Sequence, residues 1–481
     1  MKTRPPVVAI LGHVDHGKTT LLDYIRKSKL TEKEHGKITQ GIGAYEIKTN
    51  IKGYGTDKIT FIDTPGHEAF SKLRSRGANI ADIAILIIDA KDSVMPQTEE
   101  SISHIKSSKI PFIVALNKVD LKEAKPEKVK LDLLKHDVIV EEKGGRVPCM
   151  NISAKEGTGV NELLETILLL TSELNFEYDE NKEPVAYIIE TKKDKRGLVI
   201  SSIIKQGRLE VGDTIFLNGQ KTKIRSLNND VGEYINFVLP SSPFEILGFK
   251  DFPEVGSIIN VSDKKVEKKE NAKIQKKTLN IEDLLGQAPG KKLNIILKAD
   301  SKGSLEAIND TLSKRENIEI IMQGIGNIHK SDVFLATSSK SIILGFNVNV
   351  ENEARQVAKN EKIIIKSFNI IYELIDELEE VSSLLEQKDM MEKDLKGQSV
   401  VLASFIIHDQ LVFGIKINKG KINLGDNATI YRDDNLIGKS KLISLQIRSK
   451  SVKEVKNGQE AGIMLSPNID IKVGDVIKYS L

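Results

Sequence analysis

Gly12-His13-Val14-Asp15-His16-Gly17-Lys18-Thr19 lies between an apolar run, Val7 to Leu11, and a segment of helical pattern, Thr20 to Arg26. The stretch fits G-x-x-x-x-G-K-[ST], and strand, loop and helix follow in the order that motif requires. Glycines let the backbone wrap phosphate oxygens with its N–H groups turned inward. Lys18 supplies a point charge for the outer phosphates, and Thr19 offers a hydroxyl to Mg2+.

Outward from this loop, residues 1–176 alternate short apolar runs with helical stretches: Ile59 to Ile62, Ile83 to Ile88 and Phe112 to Leu116 are continuous. Continuous runs predict strands covered on both faces, hence a doubly wound parallel sheet closed by the helix Val160 to Leu174. Residues 181–263 change to short alternating strands with Gly and Asp turns, the pattern of a β-barrel, and residues 397–481 repeat it. Gly207-Arg-Leu-Glu-Val-Gly212-Asp213 and Gly420-Lys-Ile-Asn-Leu-Gly425-Asp426 mark two copies of one barrel type. Between them lies an α/β domain, 291–369. Its expected strands are Leu293 to Leu297, Ile318 to Ile321, Ser341 to Phe346 and Lys362 to Ser367, and its helices Ser304 to Ser313 and Asn352 to Lys359. Segment 264–290 reads as a basic linker, since Lys264 to Lys277 holds seven Lys against two Glu; a solvated connection and an RNA contact both suit it. Residues 370–396 predict a connecting helix with an apolar stripe of Ile371, Leu374, Ile375, Leu378, Val381, Leu384 and Leu385. The fold class is thus multidomain α/β and β.

A length of 481 residues at 40% apolar content supports three or four such cores. A formal charge of +3 leaves any basic surface local, so net charge alone argues no nucleic-acid partner. The single Cys149 excludes an internal disulfide, and no Cys/His spacing suits zinc, which points to a reducing, cytosolic compartment. The apolar run before Gly12 is too brief for a signal-peptide core, and no stretch is long enough to enter a membrane.

Four further segments supply the remaining parts of a guanine-nucleotide site. Asp63-Thr-Pro-Gly66 follows a strand, so Asp63 can hold magnesium through water while Gly66 offers its N–H to a terminal phosphate. Thr39, in Gly36-Lys-Ile-Thr-Gln-Gly-Ile-Gly43, can fold over the nucleotide and add a second hydroxyl to the metal. In Asn117-Lys118-Val119-Asp120, the Asp120 carboxylate can accept from the ring N–H and exocyclic amine of guanine, which adenine does not present. Ser153-Ala154-Lys155 contributes a backbone N–H for the guanine carbonyl. The predicted cofactors are GTP, GDP and Mg2+.

The order GHVDHGKTT, GKITQGIGAY, DTPGHEAF, NKVD and SAK resembles the translational GTPases, most closely the bacterial-type initiation factor two. Leu297-Lys-Ala-Asp300, Gly303-Ser304-Leu-Glu-Ala307, Phe346-Asn-Val348 and Ile370-Ile-Tyr372 extend the likeness over nearly the whole chain. The resemblance implies a nucleotide loop running through Thr20 and His67 as the residue that orients the attacking water. It further implies Val14 and Ile38 as apolar groups screening that histidine until a ribosome engages, and a role for Asp15 beside a monovalent cation or the histidine. It implies small and large ribosomal subunits, ribosomal RNA and initiator tRNA as partners of a factor that is monomeric off the ribosome and promotes subunit joining. By the same likeness the last barrel grips formylmethionyl initiator tRNA, for which Arg432, Lys439, Lys441, Arg448 and Lys450 are candidate contacts. That barrel carries twelve Lys and Arg against eight Asp and Glu.

Several positions depart from the family pattern. The last barrel has no Cys near Phe413-Gly414-Ile415 or Ala461-Gly462-Ile463, Lys37 stands for a usual Gly, and Gly41 for a usual His. Thr3 to Pro6 lead almost directly into the first strand, the expectation for a form without the long N-terminal extension. An elongation-type GTPase that delivers tRNA would share the nucleotide motifs but place its barrels directly after the first domain. A GTP-binding ribosome-assembly scaffold that does not turn over nucleotide is the second alternative.

Overall fold

The apolar runs become a six-stranded sheet in the order Gly43–Lys48, Lys58–Asp63, Val7–Leu11, Ile83–Asp89, Phe112–Asn117, Cys149–Asn151. All neighbours run parallel except the edge strand Gly43–Lys48. The chain is seen here as a computed structural model that describes residues 2–27, 39–217, 220–261, 292–315, 317–393, 395–407, 410–433, 435–448 and 450–480. Because strand side chains alternate, Val8 and Ile10 pack on one face with Leu21, Leu22, Leu163 and Ile167, while Leu11, Leu86 and Val114 pack on the other with Ile102, Ile105 and Leu133. Both faces are therefore dry, as continuous runs require. The strand ends Leu11, Asp63, Asp89 and Asn117 come out on one edge, where parallel sheets of this kind bind ligands.

The two barrels share one set of pairings. In the second, the ring closes through Leu395–Ile407, Val476–Ser480, Asn427–Arg432, Asn435–Ile447, Glu460–Ser466 and Gln410–Asn423. In the first the corresponding strands are Val185–Asp194, Ile258–Asn260, Thr214–Leu217, Pro243–Leu247 and Gly197–Gln206, and the place of Asn435–Ile447 is taken by Gln220–Lys223 and Ser226–Asn229. The repeated Gly-Asp signature folds identically: the Glu210 N–H donates to Asp213 Oδ2 at 2.8 Å, and the Asn423 N–H to Asp426 Oδ2 at 2.8 Å. An aspartate closing its own turn is the reason the spacing recurs.

The α/β domain is a four-stranded parallel sheet in the order Ile318–Ile325, Leu293–Ala299, Ile342–Phe346, Ile365–Phe368. Its helix Lys302–Leu312 starts two residues before the expected Ser304, because the Ser301 hydroxyl caps it by accepting from the Ser304 N–H. Sequence patterning missed the helix Lys330–Ser339. Val333 and Ala336 are buried while Phe334 and Leu335 are exposed, so apolar residues on both faces hide the helical period.

The connecting helix spans Ile371–Lys393. Its apolar stripe is corrected in one respect: Ile371, Leu374 and Leu378 are buried, but Leu384 is half exposed. Periodicity shows which face is apolar and not whether anything covers it. The boundary between the two compact units of the chain falls inside this helix, after Leu378. The expected basic linker 264–290 lies outside the described residues, as does Ile38.

Within the first unit, one apolar cluster joins three domains and the helix start: Phe70 and Leu73, Ile189 and Ile203, Leu305 and Ile308, Ile371 and Leu374. Polar ties reinforce it. Asp82 accepts from Arg4 and Lys205, each at 2.6 Å. Glu190 of the first barrel, 5% exposed, accepts from the Gly303 N–H at 3.1 Å and the Ser301 hydroxyl at 3.1 Å, at the start of the α/β domain's first helix. Burial pushes the Glu190 carboxyl up to about 7, against the pull of those donors. A folded-state value above the unfolded one favours folding at low pH, and that contribution is lost as pH rises from about 4.5 through about 7. Thermal midpoints of the wild type relative to Glu190→Gln should therefore fall across that window, by the equivalent of roughly 3 kcal/mol at most.

Candidate functional site

Gly17 begins the site's first helix, Lys18–Arg26, in a left-handed conformation with φ 93°. A Cβ there would lie 2.3 Å from Asn117 Nδ2, so only glycine fits. Asn117, buried at the end of its strand, donates from Nδ2 to the His16 carbonyl at 2.8 Å and accepts on Oδ1 from the Ala154 N–H at 2.9 Å. The asparagine thus ties the Gly12–Thr19 loop to the Ser153-Ala154-Lys155 turn, a structural role that its place in the Asn117-Lys118-Val119-Asp120 segment did not disclose. Lys118, with φ 62°, turns its ammonium to Asp89 at 2.7 Å. Asp120 is exposed beyond it, and Lys155 is exposed after the buried Ser153 and Ala154.

A cavity of about 350 Å³ is lined by Val14, Asp15, Gly17, Lys18, Thr19, Thr20, Thr39, Gly66, His67 and Lys118. Gly12, His13 and His16 stand behind it in the same loop; burial pushes the His16 imidazole down to about 3, so it is neutral. Lys18 Nζ donates to the Gly12 and His13 carbonyls at 3.0 and 2.6 Å, and burial lowers its ammonium to about 8. Gly66 packs onto the loop so closely that a Cβ would lie 2.5 Å from Lys18 Nζ and 2.8 Å from the Val14 nitrogen. The three residues expected to serve a metal converge: Thr19 Oγ1 and Thr39 Oγ1 lie 2.6 Å apart, and the Thr39 hydroxyl donates to Asp63 Oδ2 at 3.3 Å. Two hydroxyls and a carboxylate form a hard-oxygen donor set, the chemistry that suits Mg2+.

His67 is 9% exposed. Its Nδ1 accepts from the Ala69 N–H at 2.9 Å, which starts a short 3-10 turn and assigns the proton of the neutral ring to Nε2. Burial, with Arg74 nearby, lowers the imidazole to about 4.

Three comparisons bear on this geometry. Residues 4–173 match the model for the elongation factor Tu GTP binding domain, 183–262 that for elongation factor G domain 2, and 265–379 that for translation-initiation factor 2. "Translation initiation factor IF-2" of Alkaliphilus metalliredigens is 40% identical over 99% of this chain and 70% of its own length. The protein of that name from Halothermothrix orenii is 39% identical over 99% of this chain and 72% of its own. The chain belongs to the translation initiation factor IF-2 family. A crystal structure of GDP-bound aIF5B from Aeropyrum pernix is also similar, 24% identical with a TM-score of 0.47, over 99% of this chain and 92% of that one. As an IF-2 family member the chain carries a GTP-binding GTPase domain, and it acts in translation initiation. The initiation-factor segment between the two barrels separates it from elongation-type factors. No helix among the described residues is long and apolar enough to cross a membrane.

Sequence reading missed the residues that hold the Pro65–His67 segment of this IF-2 family chain in place. Arg74, fully buried, donates from Nη1 to the Pro65 carbonyl at 3.0 Å and to the His67 carbonyl, and from Nη2 to Glu100 at 2.6 Å. Gln97 Oε1 accepts from the Val14 N–H at 3.0 Å. Neither belongs to a motif, and the helix Ser71–Ile80 carries Lys72, Arg74 and Arg76, so its sequence does not single out the buried cation. Arg74→Met takes the Arg74 donor from the Pro65 carbonyl and the ion partner from Glu100, while the His67 carbonyl keeps the Phe70 N–H, and should cost about 3 kcal/mol, read as a lower thermal midpoint and faster proteolysis near His67. Arg74→Lys should rescue little, since one ammonium does not span the fork's three partners.

Proposed function

We propose that the chain carries initiator tRNA to the small ribosomal subunit, promotes subunit joining, and then hydrolyses GTP when the large subunit engages. The observation that carries this reading is the convergence, on one cavity, of Lys18, the Thr19–Thr39–Asp63 oxygen cluster and His67, inside an IF-2 family chain. The phosphate loop, Gly12 to Thr20, cradles the phosphates with its backbone. Thr19, Thr39 and Asp63 would hold Mg2+, which when bound neutralises charge on the outer phosphates. Gly66 directs its N–H to the terminal phosphate, and Asp120 reads guanine, with the Ser153-Ala154-Lys155 turn facing the base carbonyl. His67, neutral with its proton on Nε2, orients water as a hydrogen-bond donor, and Val14 with Ile38 screens it until the ribosome binds.

In the terminal barrel, Lys439 and Lys441 project from one side of the strand Asn435–Ile447, and Arg448 and Lys450 follow at its hairpin; all four are exposed. Arg432 has its guanidinium fork filled by Asp475, with Nε and Nη2 each at 2.9 Å. The tRNA backbone therefore meets the four exposed cations first, with Arg432 positioning the strand that supports them. The two segments without cysteine lie side by side, with Gly414 paired to Gly462.

Filter binding to formylated, unformylated and deacylated initiator tRNA tests the tRNA role; equal affinity for all three would remove it. Single-turnover hydrolysis with and without ribosomes tests the switch. A rate unmoved by ribosomes favours the non-hydrolysing scaffold.

A further inference from the structure

The connecting helix begins on top of the catalytic histidine. Tyr372, in its first turn, sets its ring 4.0 Å centroid to centroid from the His67 imidazole at an interplanar angle of 50°, and Phe70 touches the same imidazole edge-on at 6.0 Å. Gln40, next to the metal-site Thr39, clamps that turn at both ends. Its Nε2 donates to the Asn369 carbonyl at 2.7 Å, and its Oε1 accepts from the Ile371 N–H at 2.9 Å. Ile371 and Leu374 anchor the turn in the shared core, whereas Tyr372 itself is 41% exposed, so its ring can leave without opening that core. Under the ring, His67 Nε2 is buried without a hydrogen-bond partner while Nδ1 is satisfied within its own turn. A donor held this way is withheld from water.

We propose that Tyr372 is a positioning residue for GTP hydrolysis: its ring seals the His67 imidazole in a water-free orientation, and the start of the connecting helix must release it before His67 can orient the nucleophile. The step is mechanical and moves no proton. It rests on the assignment of His67 above and adds the helix as the element that covers it. The link is physical rather than inferred from proximity alone, since Gln40 ties the segment carrying Thr39 to the same helical turn.

The charged groups acting on the imidazole are Arg74 from the helix Ser71–Ile80 and Glu68 from the turn His67 begins; Asp15 of the phosphate loop acts electrostatically on Tyr372. None of them sits on the connecting helix, so removing the Tyr372 ring changes solvent access and leaves these charges in place.

The experiment uses the full chain with Tyr372→Ala and Tyr372→Phe. Loss of an aromatic contact of this kind shifts a local equilibrium by roughly 3- to 10-fold. Ribosome-free single-turnover hydrolysis should rise by about that factor in Tyr372→Ala, stay at the wild-type rate in Tyr372→Phe, and converge for all three on ribosomes. In parallel, ring-labelled histidine NMR should follow the His67 resonance, assigned by its absence in His67→Gln. In Tyr372→Ala it should titrate closer to the ordinary imidazole value, and in Tyr372→Phe remain low. An unchanged titration and an unchanged ribosome-free rate in Tyr372→Ala overturn the proposal. An equal slowing with and without ribosomes also overturns it, because the ring would then assist catalysis rather than restrain it. The NMR readout stands apart from the catalytic assignment: if His67→Ala leaves hydrolysis intact, the function reading fails while the seal on the imidazole is still measured.

Discussion

Replacing His67 with alanine should reduce ribosome-stimulated GTP hydrolysis by about 10²–10⁴-fold while GTP affinity stays near wild type. The imidazole lines the cavity, and the groups placed to hold phosphate, Lys18 and the loop backbone, make no hydrogen bond to its ring. Its loss therefore falls on the rate and not on binding. His67→Gln keeps a donor and should retain part of the rate. With the free imidazole lowered to about 4 by burial, ribosome-free hydrolysis should show no titration of this group between about pH 6 and 8, since the ring is neutral throughout. A rate step centred near the ordinary histidine value would mean that the ring is solvated in the free protein. Equal ribosome-stimulated rates for wild type and His67→Ala would remove His67 from the mechanism.

The nucleotide site was legible because its residues lie in short contiguous segments at strand ends. A run such as Ile83 to Ile88 can be buried on both faces only in a covered sheet, and the residues after each run must then emerge at one edge. Thr19, Thr39 and Asp63, chosen from three segments, do meet within hydrogen-bonding distance. What stayed hidden depends on tertiary contact. Arg74 reads as one more cation on a helix, and Gln40 as a polar residue in a loop, until folding places their partners. Tyr372 is separated from His67 by the whole barrel and α/β domain, and no local pattern couples them. The helix Lys330–Ser339 was obscured for the opposite reason, since its local apolar pattern exists but has no single face.

The other large effect concerns the base. Asn117 spends one amide N–H on the His16 carbonyl and one lone pair on the Ala154 N–H, so its first task is to brace the pocket. Lys118 is held by Asp89, whose carboxyl is kept below its usual range, against its burial, by Lys118 and the Lys91 N–H. Of the Asn117-Lys118-Val119-Asp120 side chains, the exposed Asp120 carboxylate is the acceptor-only group, the kind that can take two N–H donors from one base edge. Guanine offers two N–H donors that a carboxylate accepts together; xanthine replaces the exocyclic amine with a carbonyl, which a carboxylate repels and an amide can satisfy. Asp120→Asn should therefore lower the preference for GTP over xanthosine triphosphate by about 10²–10⁴-fold, short of the 10⁴–10⁵ that a fully buried polar site achieves, because Asp120 retains water on one side. Competition binding measures the ratio directly. The fold should be untouched, since the substitution alters an exposed side chain beyond the strand that Asn117 terminates. Asn117→Ala makes the contrasting case: it should weaken both nucleotides alike and lower the thermal midpoint, because it frees the phosphate loop from the Ala154 turn. If Asp120→Asn instead weakened both nucleotides equally, base reading would have to come from backbone groups of the Ser153-Ala154-Lys155 turn.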